Sequence, residues 1–397
     1  MSKCGFPPTA PAYTSLPGAF RRQVSCSSQV LSLLCLLLLT SFITSGVAFA
    51  QAEEPWNRLY VTNFSSEDVH VIDLNRDQTI AKIKVGSGPS AMALAPNLEK
   101  LYVANFWSGT ISVISTAQNA VIAEIVIPCD CAKSDPFGLA ITPDGTKLYV
   151  NNLSDGLVRV IDTATNTVIG KIPGVYDWAL RYIAVSPDGQ YVWAVGTGEG
   201  VLFVIRTEDN QLIARVTGLA SARHLSFTPD GSRVYVTGEK FSRLYAIDAK
   251  KFELLKVIHF PKGVGTVTVD VDKTGKFAMV SNFQGKPSIV CTDPASPKYH
   301  TVLAEITPNS GYLYCIVVAP DGRFAYLTNQ SDRGKSPNSL NVIDLREDSP
   351  TRNTIIKSLP LGKEPWGIMP VRQLPSVVQA APPETITEPA EVKPPQP

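Results

Sequence analysis

The chain has 397 residues, of which 36 are basic and 35 acidic, giving a net charge of +1 at pH 7, and 44% are hydrophobic. That length suits one large or two ordinary domains. Charge so nearly balanced leaves no electrostatic footprint for nucleic acid, so no nucleic-acid partner is expected.

Residues 1–50 read as an export signal. No acid precedes Glu53, Arg21 and Arg22 lead into an apolar run from Val30 to Ile43, and Ala48-Phe49-Ala50 offers a small-x-small cleavage site. Cleavage is expected after Ala50, with periplasmic or extracellular residence and no integral membrane domain afterwards. The stretch 30–50 is also long enough to span a bilayer uncleaved, but the cleavage site and the polar residues that follow argue for removal. The arginine pair leaves the route open between general and twin-arginine export. Removal takes away Lys3, Arg21 and Arg22 and no acid, which leaves a net charge of −2.

From Leu59 onward one unit recurs. Residues 148–188 show it in full: LYVNN, a polar turn, LVRVID, a short turn, TVIGKI, a loop, then RYIAVS and Pro-Asp. Four short runs in about forty residues are the strands of one propeller blade. The second residue of the first run forms the column Tyr60, Tyr102, Tyr149, Trp193, Tyr235, Met279, Tyr326, spaced 42 to 47 residues apart. Three positions on stand Asn63, Asn105, Asn152, Gly196, Gly238, Asn282 and Asn329. Asn and Gly most readily take a positive φ, so a turn is expected to begin there. Pro143-Asp144-Gly145, Pro187-Asp188-Gly189, Pro229-Asp230-Gly231 and Pro320-Asp321-Gly322, with Lys273-Thr274-Gly275 as a degenerate copy, mark tight turns before the next first run.

Seven copies predict an all-β, seven-bladed β-propeller of four-stranded blades over 51–372. Inner strands are expected at 90–95, 137–142, 181–186, 223–228, 265–270, 314–319 and 366–371. The first copy lacks an inner strand and the last inner strand lacks a copy. The segment 366–371 is therefore expected to join the N-terminal blade and close the ring, which removes both free edges. Residues 373–397, rich in Pro, Glu and Ala, are expected to form a disordered tail. It reads as a solvated terminus, a spacer or a docking segment for an envelope component.

LYVTN at 59–63, VHVID at 69–73, VRVID at 158–162 and NVIDL at 341–345 resemble the YVTN family of β-propeller repeats, found in extracytoplasmic bacterial and archaeal proteins. The resemblance covers residues 56–371. It implies the fold but no single activity, because propellers of this kind host binding proteins, quinoprotein dehydrogenase subunits, haem-binding domains and lactonases.

By analogy of fold, a ligand would bind where the loops open around the channel. The column at the start of the inner strands reads Ser90, Phe137, Arg181, Arg223, Gly265, Tyr314, Trp366, and the next reads Ala91, Gly138, Tyr182, His224, Thr266, Cys315, Gly367. Phe106, Trp107, Tyr176, Trp178 and Tyr312 stand in nearby loops. Candidate ligand-binding residues are Arg181, Arg223, His224, Trp178, Tyr314, Trp366 and Phe137. Arginine offers a fork to carboxylate or phosphate, and aromatic rings offer stacking surfaces. The competing reading has the rings packing between blades and the arginines pairing with loop acids such as Asp177.

These columns hold no carboxylate, whereas a metal-dependent lactonase needs acids or histidines converging there. His70, His224, His259 and His300 fall in different blades, without ligand spacing. No metal or cofactor is predicted, and no C-x-x-C-H haem motif occurs. Beyond the export signal, Cys129, Cys131, Cys291 and Cys315 allow three full pairings. Cys129 and Cys131 could form a structural bridge, stay unpaired, hold a soft metal or be redox-active, and Cys291 reads as core. Gly196-x-Gly198-x-Gly200 lacks the helix of a phosphate loop. Asp270-x-Asp272-x-Thr274-Gly275 lacks the closing Glu of a calcium loop.

The expectation is a monomeric binding or scaffold module for a small anionic or aromatic ligand or an envelope protein partner. The alternatives are an enzyme subunit, either a quinoprotein or haem-dependent dehydrogenase type or a lactonase, and a surface-layer structural protein.

Overall fold

The computed structural model describes residues 56–129, 131–308, 311–331 and 337–372. The expected export signal and Pro-rich tail lie outside the described residues. Among them, twenty-eight strands form seven four-stranded antiparallel sheets arranged as blades. The inner strands are Pro89–Leu94, Pro136–Ile141, Leu180–Val185, Ala222–Phe227, Thr266–Val271, Tyr312–Val318 and Pro365–Arg372. Each touches the inner strands of the two flanking blades, so the seven form a closed ring.

Blade 1 holds Trp56–Asn63, Asp68–Asp73 and Gln78–Lys84, and its inner strand is Pro365–Arg372. Tyr60 faces Met369 and Val61 faces Ile368 across the closure. Blades 2 to 7 begin at the other inner strands in chain order. Within a blade the strands are lettered a to d from the axis outward. Strand b is sandwiched between neighbouring blades, so Leu59, Tyr60, Val61, Thr62 and Asn63 are all buried. Strand d lies outermost, and in Gln78–Lys84 exposed and partly covered residues alternate over most of its length.

The letters of the LYVTN run do separate physical work. Tyrosines of the first column reach the next blade's c–d turn: the Tyr60 hydroxyl donates to Asn119 Oδ1 at 2.6 Å and the Tyr149 hydroxyl to Asn210 Oδ1 at 2.7 Å. The residue two places later ties strand b to the next inner strand. Thr62 Oγ1 donates to the Ser90 carbonyl (2.8 Å), Asn151 Nδ2 to Leu180 (2.6 Å), Thr237 Oγ1 to Val267 (2.9 Å), Ser281 Oγ to Tyr314 (2.6 Å) and Thr328 Oγ1 to Trp366 (3.5 Å). Opposite this residue, strand a carries one extra residue in every blade, a β-bulge. The bulge's unpaired N–H, at Gly367, Gly138, His224, Thr268 and Cys315, donates to the same five side chains.

The strands end at the Asn/Gly column as expected, save in blade 7 where Gln330 ends the strand, but the backbone reason needs a correction. None of these residues takes a positive φ. The left-handed residue comes four places later, at Glu67, Gly109, Gly156, Gly200 and Ser242. The asparagines instead bond across the b–c turn: Asn105 Nδ2 donates to Thr110 and Ser112, and Asn282 Nδ2 to Lys286 and Ser288. The Pro-Asp-Gly turns are as expected, with φ of +74°, +72°, +66° and +71° at Gly145, Gly189, Gly231 and Gly322.

Asp270 of blade 6 spans three blades. It accepts hydrogen bonds from the Val318 N–H of blade 7 (2.8 Å) and the Ser226 hydroxyl of blade 5 (3.3 Å). Burial pushes its carboxyl up to about 7 against these bonds. A carboxyl whose pKa is higher in the fold than in the unfolded chain binds protons more readily in the fold. Its contribution therefore falls as the pH rises from about 4 to about 7. Asp270→Asn is expected to remove this slope, stabilising the fold at pH 8 by on the order of 4 kcal/mol more than at pH 4. Urea unfolding at the two pH values measures it.

Candidate functional site

The b–c turns and d–a loops open on one face of the ring. Strand pairing places Thr266 opposite Asn282 as it places Ala222 opposite Gly238. The column at the mouth therefore reads Ser90, Phe137, Arg181, Arg223, Val267, Tyr314, Trp366, with Val267 where Gly265 was expected and Thr268 in place of Thr266 in the next column. Gly265, at φ +63°, belongs to the loop before the strand.

Two small members of that column, Ser90 and Val267, leave room for their large neighbours to meet. Phe137 and Trp366, on either side of Ser90, lie ring to ring at 5.5 Å. Tyr314 and Arg223 meet past Val267, with the guanidinium 5.0 Å from the ring centre. From there a continuous chain of rings crosses the mouth. Tyr314 stacks on Trp366 (4.9 Å), Trp366 on Phe64 (4.4 Å), and Trp107 meets Phe64 edge-on (4.5 Å). A second line runs from Phe106 to Phe137 (5.9 Å), Tyr182 (5.5 Å) and His224 (4.3 Å). The centre of the mouth is packed as a result, and Phe137 is 3% exposed.

The two arginines differ. Arg223 Nη1 pairs with Glu239 Oε1 at 2.6 Å, and its Nη2 donates to the Tyr314 hydroxyl. Its side chain is 6% exposed and that of Glu239 32%. Burial opposes the charge on Arg223, but Tyr314 and Glu239 outweigh it and the pKa rises. Glu239 opens the 3₁₀ turn Glu239–Phe241 between strands b and c of blade 5. It is a carboxylate at the mouth that reading the inner-strand columns misses. The column after the Asn/Gly position, which reads Phe64, Phe106, Leu153, Thr197, Glu239, Phe283, Gln330, would have revealed it together with Phe64. Arg181 is half-buried with its guanidinium 6.0 Å from the Phe137 ring centre. It has no ion-pair partner among the described residues, and its Nε is buried without a hydrogen bond.

Asp177 pairs with neither arginine. It is buried and accepts the N–H groups of Ala179, Gly198 and Glu199. This accounts for Gly196-x-Gly198: a Cβ at either glycine would stand 2.6 or 2.7 Å from the Asp177 carboxylate. The glycines cradle a side chain of the protein itself. His224 turns toward blade 6, where Nδ1 accepts the Val269 N–H at 3.5 Å. Burial first, and then the Arg223 charge, push it down to about 3, so it is neutral at ordinary pH. Trp178 and Tyr176 stand 68% and 61% exposed on the loop entering blade 4.

Cys129 and Cys131 form a disulfide in the loop entering blade 3. They lie near the Asp155 carboxylate, which is engaged by Arg159. Cys291 is buried and free, and burial pushes the Cys315 thiol up to about 12. In the calcium-like stretch, Asp272 bonds Thr274 and Phe277 within its own turn, while Asp270 bonds the flanking blades.

Fold and site define a closed seven-bladed propeller with a basic, aromatic mouth. The chain belongs to the family described as lactonase, 7-bladed beta-propeller, whose model matches residues 58–359. Among solved structures it is similar to hydrazine synthase of Kuenenia stuttgartiensis, at 19% identity over 77% of this chain and 99% of that one, with a TM-score of 0.61. It is also similar to dihydro-heme d1 dehydrogenase NirN in complex with DHE, at 15% identity over 81% of this chain and 76% of that one, with a TM-score of 0.58. At these identities the likeness is one of fold. No curated protein sequence matches significantly.

In the Arg223–Glu239 pair the arginine is the more deeply buried partner. Glu239→Ala strands a buried cation and is expected to lower stability by about 3 kcal/mol. Arg223→Met leaves a carboxylate that water can reach and is expected to cost less, about 1–2 kcal/mol. Denaturant unfolding of both variants checks the order.

Proposed function

We propose that the mouth binds a planar organic anion without turning it over, and that the protein serves as an exported YVTN-type binding module of the cell envelope. The observation that carries this reading is the asymmetry between the arginines. Arg223 is neutralised by Glu239, whereas Arg181 presents an unpaired guanidinium beside Phe137, in the blade whose entering loop exposes Trp178. A carboxylate would satisfy Arg181, and a flat body would lie on the exposed loop ring of Trp178, outside the packed centre. Export rests on the pattern of residues 1–50, and N-terminal sequencing of the mature protein should begin at Gln51.

The family's lactonase description supports a second reading, ring opening at the same mouth. Ester hydrolysis needs a base free to activate water. Glu239 is held by Arg223, and His224 is spent on the Val269 N–H, so binding without turnover is favoured.

The probe is 2-naphthoate, with 2-naphthylmethanol as its uncharged counterpart and dihydrocoumarin as a lactone. Arg181→Ala is expected to weaken 2-naphthoate binding about tenfold or more, the value of one charge-assisted contact, and to leave 2-naphthylmethanol unchanged. Equal binding by parent and variant would overturn the anion site. Dihydrocoumarin opening that is lost in Glu239→Gln would replace the binding reading with the hydrolytic one.

A further inference from the structure

The opposite face of the ring carries the a–b and c–d turns. At four junctions a strand-b side chain of the first column meets the left-handed residue of the next blade's c–d turn: Tyr60 with Asn119, Tyr149 with Asn210, Trp193 with Phe252 and Tyr235 with His300. A left-handed residue stands in all seven of these turns. Those residues are Asp77, Asn119, Asn166, Asn210, Phe252, His300 and Asn353, all between φ +50° and +62°. Six are polar and tolerate that backbone. The exception is Phe252, at φ +59°, a conformation that costs a bulky L-residue about 1–2 kcal/mol.

Phe252 is not the only substitution at the junction of blades 4 and 5. Its partner in the first column is Trp193, where five other copies have tyrosine. The end of blade 5's inner strand carries Phe227, where other blades have Leu94, Ile141, Val185, Val271, Val318 and Pro370. Tyr191 adds a fourth ring. These rings stand at steep angles: Tyr191 to Phe252 at 81°, Trp193 to Phe252 at 58° and Trp193 to Phe227 at 88°. Trp193 is fully buried, while Tyr191, Phe227 and Phe252 remain partly exposed around it.

Between them lies a cavity of about 460 Å³, within the roughly 300–1,000 Å³ of small-molecule sites. The equivalent clefts at the flanking junctions hold about 350 and 290 Å³ and have no aromatic lining residue. Asp188 and Asp230 also line the cavity. Both use Oδ1 to bond their own turns, Asp188 with Ser186 and Gln190, Asp230 with Thr228 and Ser232. Lys250 is the one cation among the lining residues, and it is exposed, so its long side chain is free to swing into solvent.

We propose that this cavity binds a small quaternary-ammonium ion, with the trimethylammonium head of choline as the simplest occupant. A methylated ammonium has no N–H groups to satisfy, and is held by ring faces and nearby negative charge. That is what three partly exposed rings, a buried indole behind them and two carboxylates provide. The site lies on the face away from the mouth and does not rest on the function proposed there.

Calorimetric titration of the full exported chain with choline chloride tests this, using 3,3-dimethylbutan-1-ol as the uncharged molecule of the same shape. Choline is expected to bind saturably and the alcohol at least about tenfold more weakly. The variant Trp193→Tyr/Phe252→Asn installs the pair that the junction of blades 3 and 4 already uses, so it is expected to fold and to lose choline binding. Asp188→Asn/Asp230→Asn is expected to weaken it about fivefold, equivalent to about 1 kcal/mol. Co-sedimentation with phosphatidylcholine against phosphatidylglycerol vesicles separates a free ion from a lipid head group as its source. Equal binding of the alcohol, unchanged binding by the Trp193/Phe252 variant, or no saturable heat with choline would each overturn the proposal.

Discussion

The ring depends on a small polar side chain placed opposite a bulge. In each blade the inner strand carries one residue too many, and the bulge leaves an N–H without a ladder partner. Thr62, Asn151, Thr237, Ser281 and Thr328 accept that N–H and donate onward to a carbonyl of the next blade. One side chain thus repairs a defect in its own sheet and fastens the neighbouring one. Buried backbone groups left unpaired are costly, so in these five blades the hook offsets what the bulge leaves open. Blades 2 and 4 have Ala104 and Val195 at this position. At the blade 2 junction Ser90 Oγ supplies a substitute bond to the Phe137 carbonyl.

The bulges also shape the mouth. They lie at the start of the inner strands, directly beside the column that holds Phe137, Arg223, Tyr314 and Trp366. The two arginines that share this column have opposite fates because of one neighbouring turn. Blade 5 continues from Gly238 into Glu239 and neutralises Arg223, while blade 4 continues from Gly196 into Thr197. The acid near Arg181, Asp177, is consumed by backbone N–H groups instead. Local turn chemistry, more than the inner strands, decides which cation stays available.

The blade number, the strand order, the closure and most inner-strand positions are legible in the sequence, because a repeat of 42 to 47 residues multiplies every weak local signal. What such repetition hides is the role of each letter. Thr62 looks like part of a strand, and nothing along the chain shows that its hydroxyl faces a bulge formed more than three hundred residues later by Gly367. The backbone preference of Asn points to a positive φ, whereas its side chains bond across the turn. In blade 6 the repeat puts Gly265 in line with residues that begin a strand, although it ends a loop. Glu239 comes from a turn and so stands outside the inner-strand columns. Phe252 gave no signal at all, since a phenylalanine at a left-handed position contradicts its own backbone preference.

The closure has a consequence for how the chain assembles. Trp56–Asn63 is made first and Pro365–Arg372 last among the described strands, yet they are hydrogen-bonded neighbours. For almost the whole of synthesis the first blade presents a bare strand edge. Only residues 361–364 connect that strand to the outer strand Ile355–Pro360. The pairing that completes the first blade is therefore the most non-local in the molecule, and it forms only when the last blade already stands beside the first.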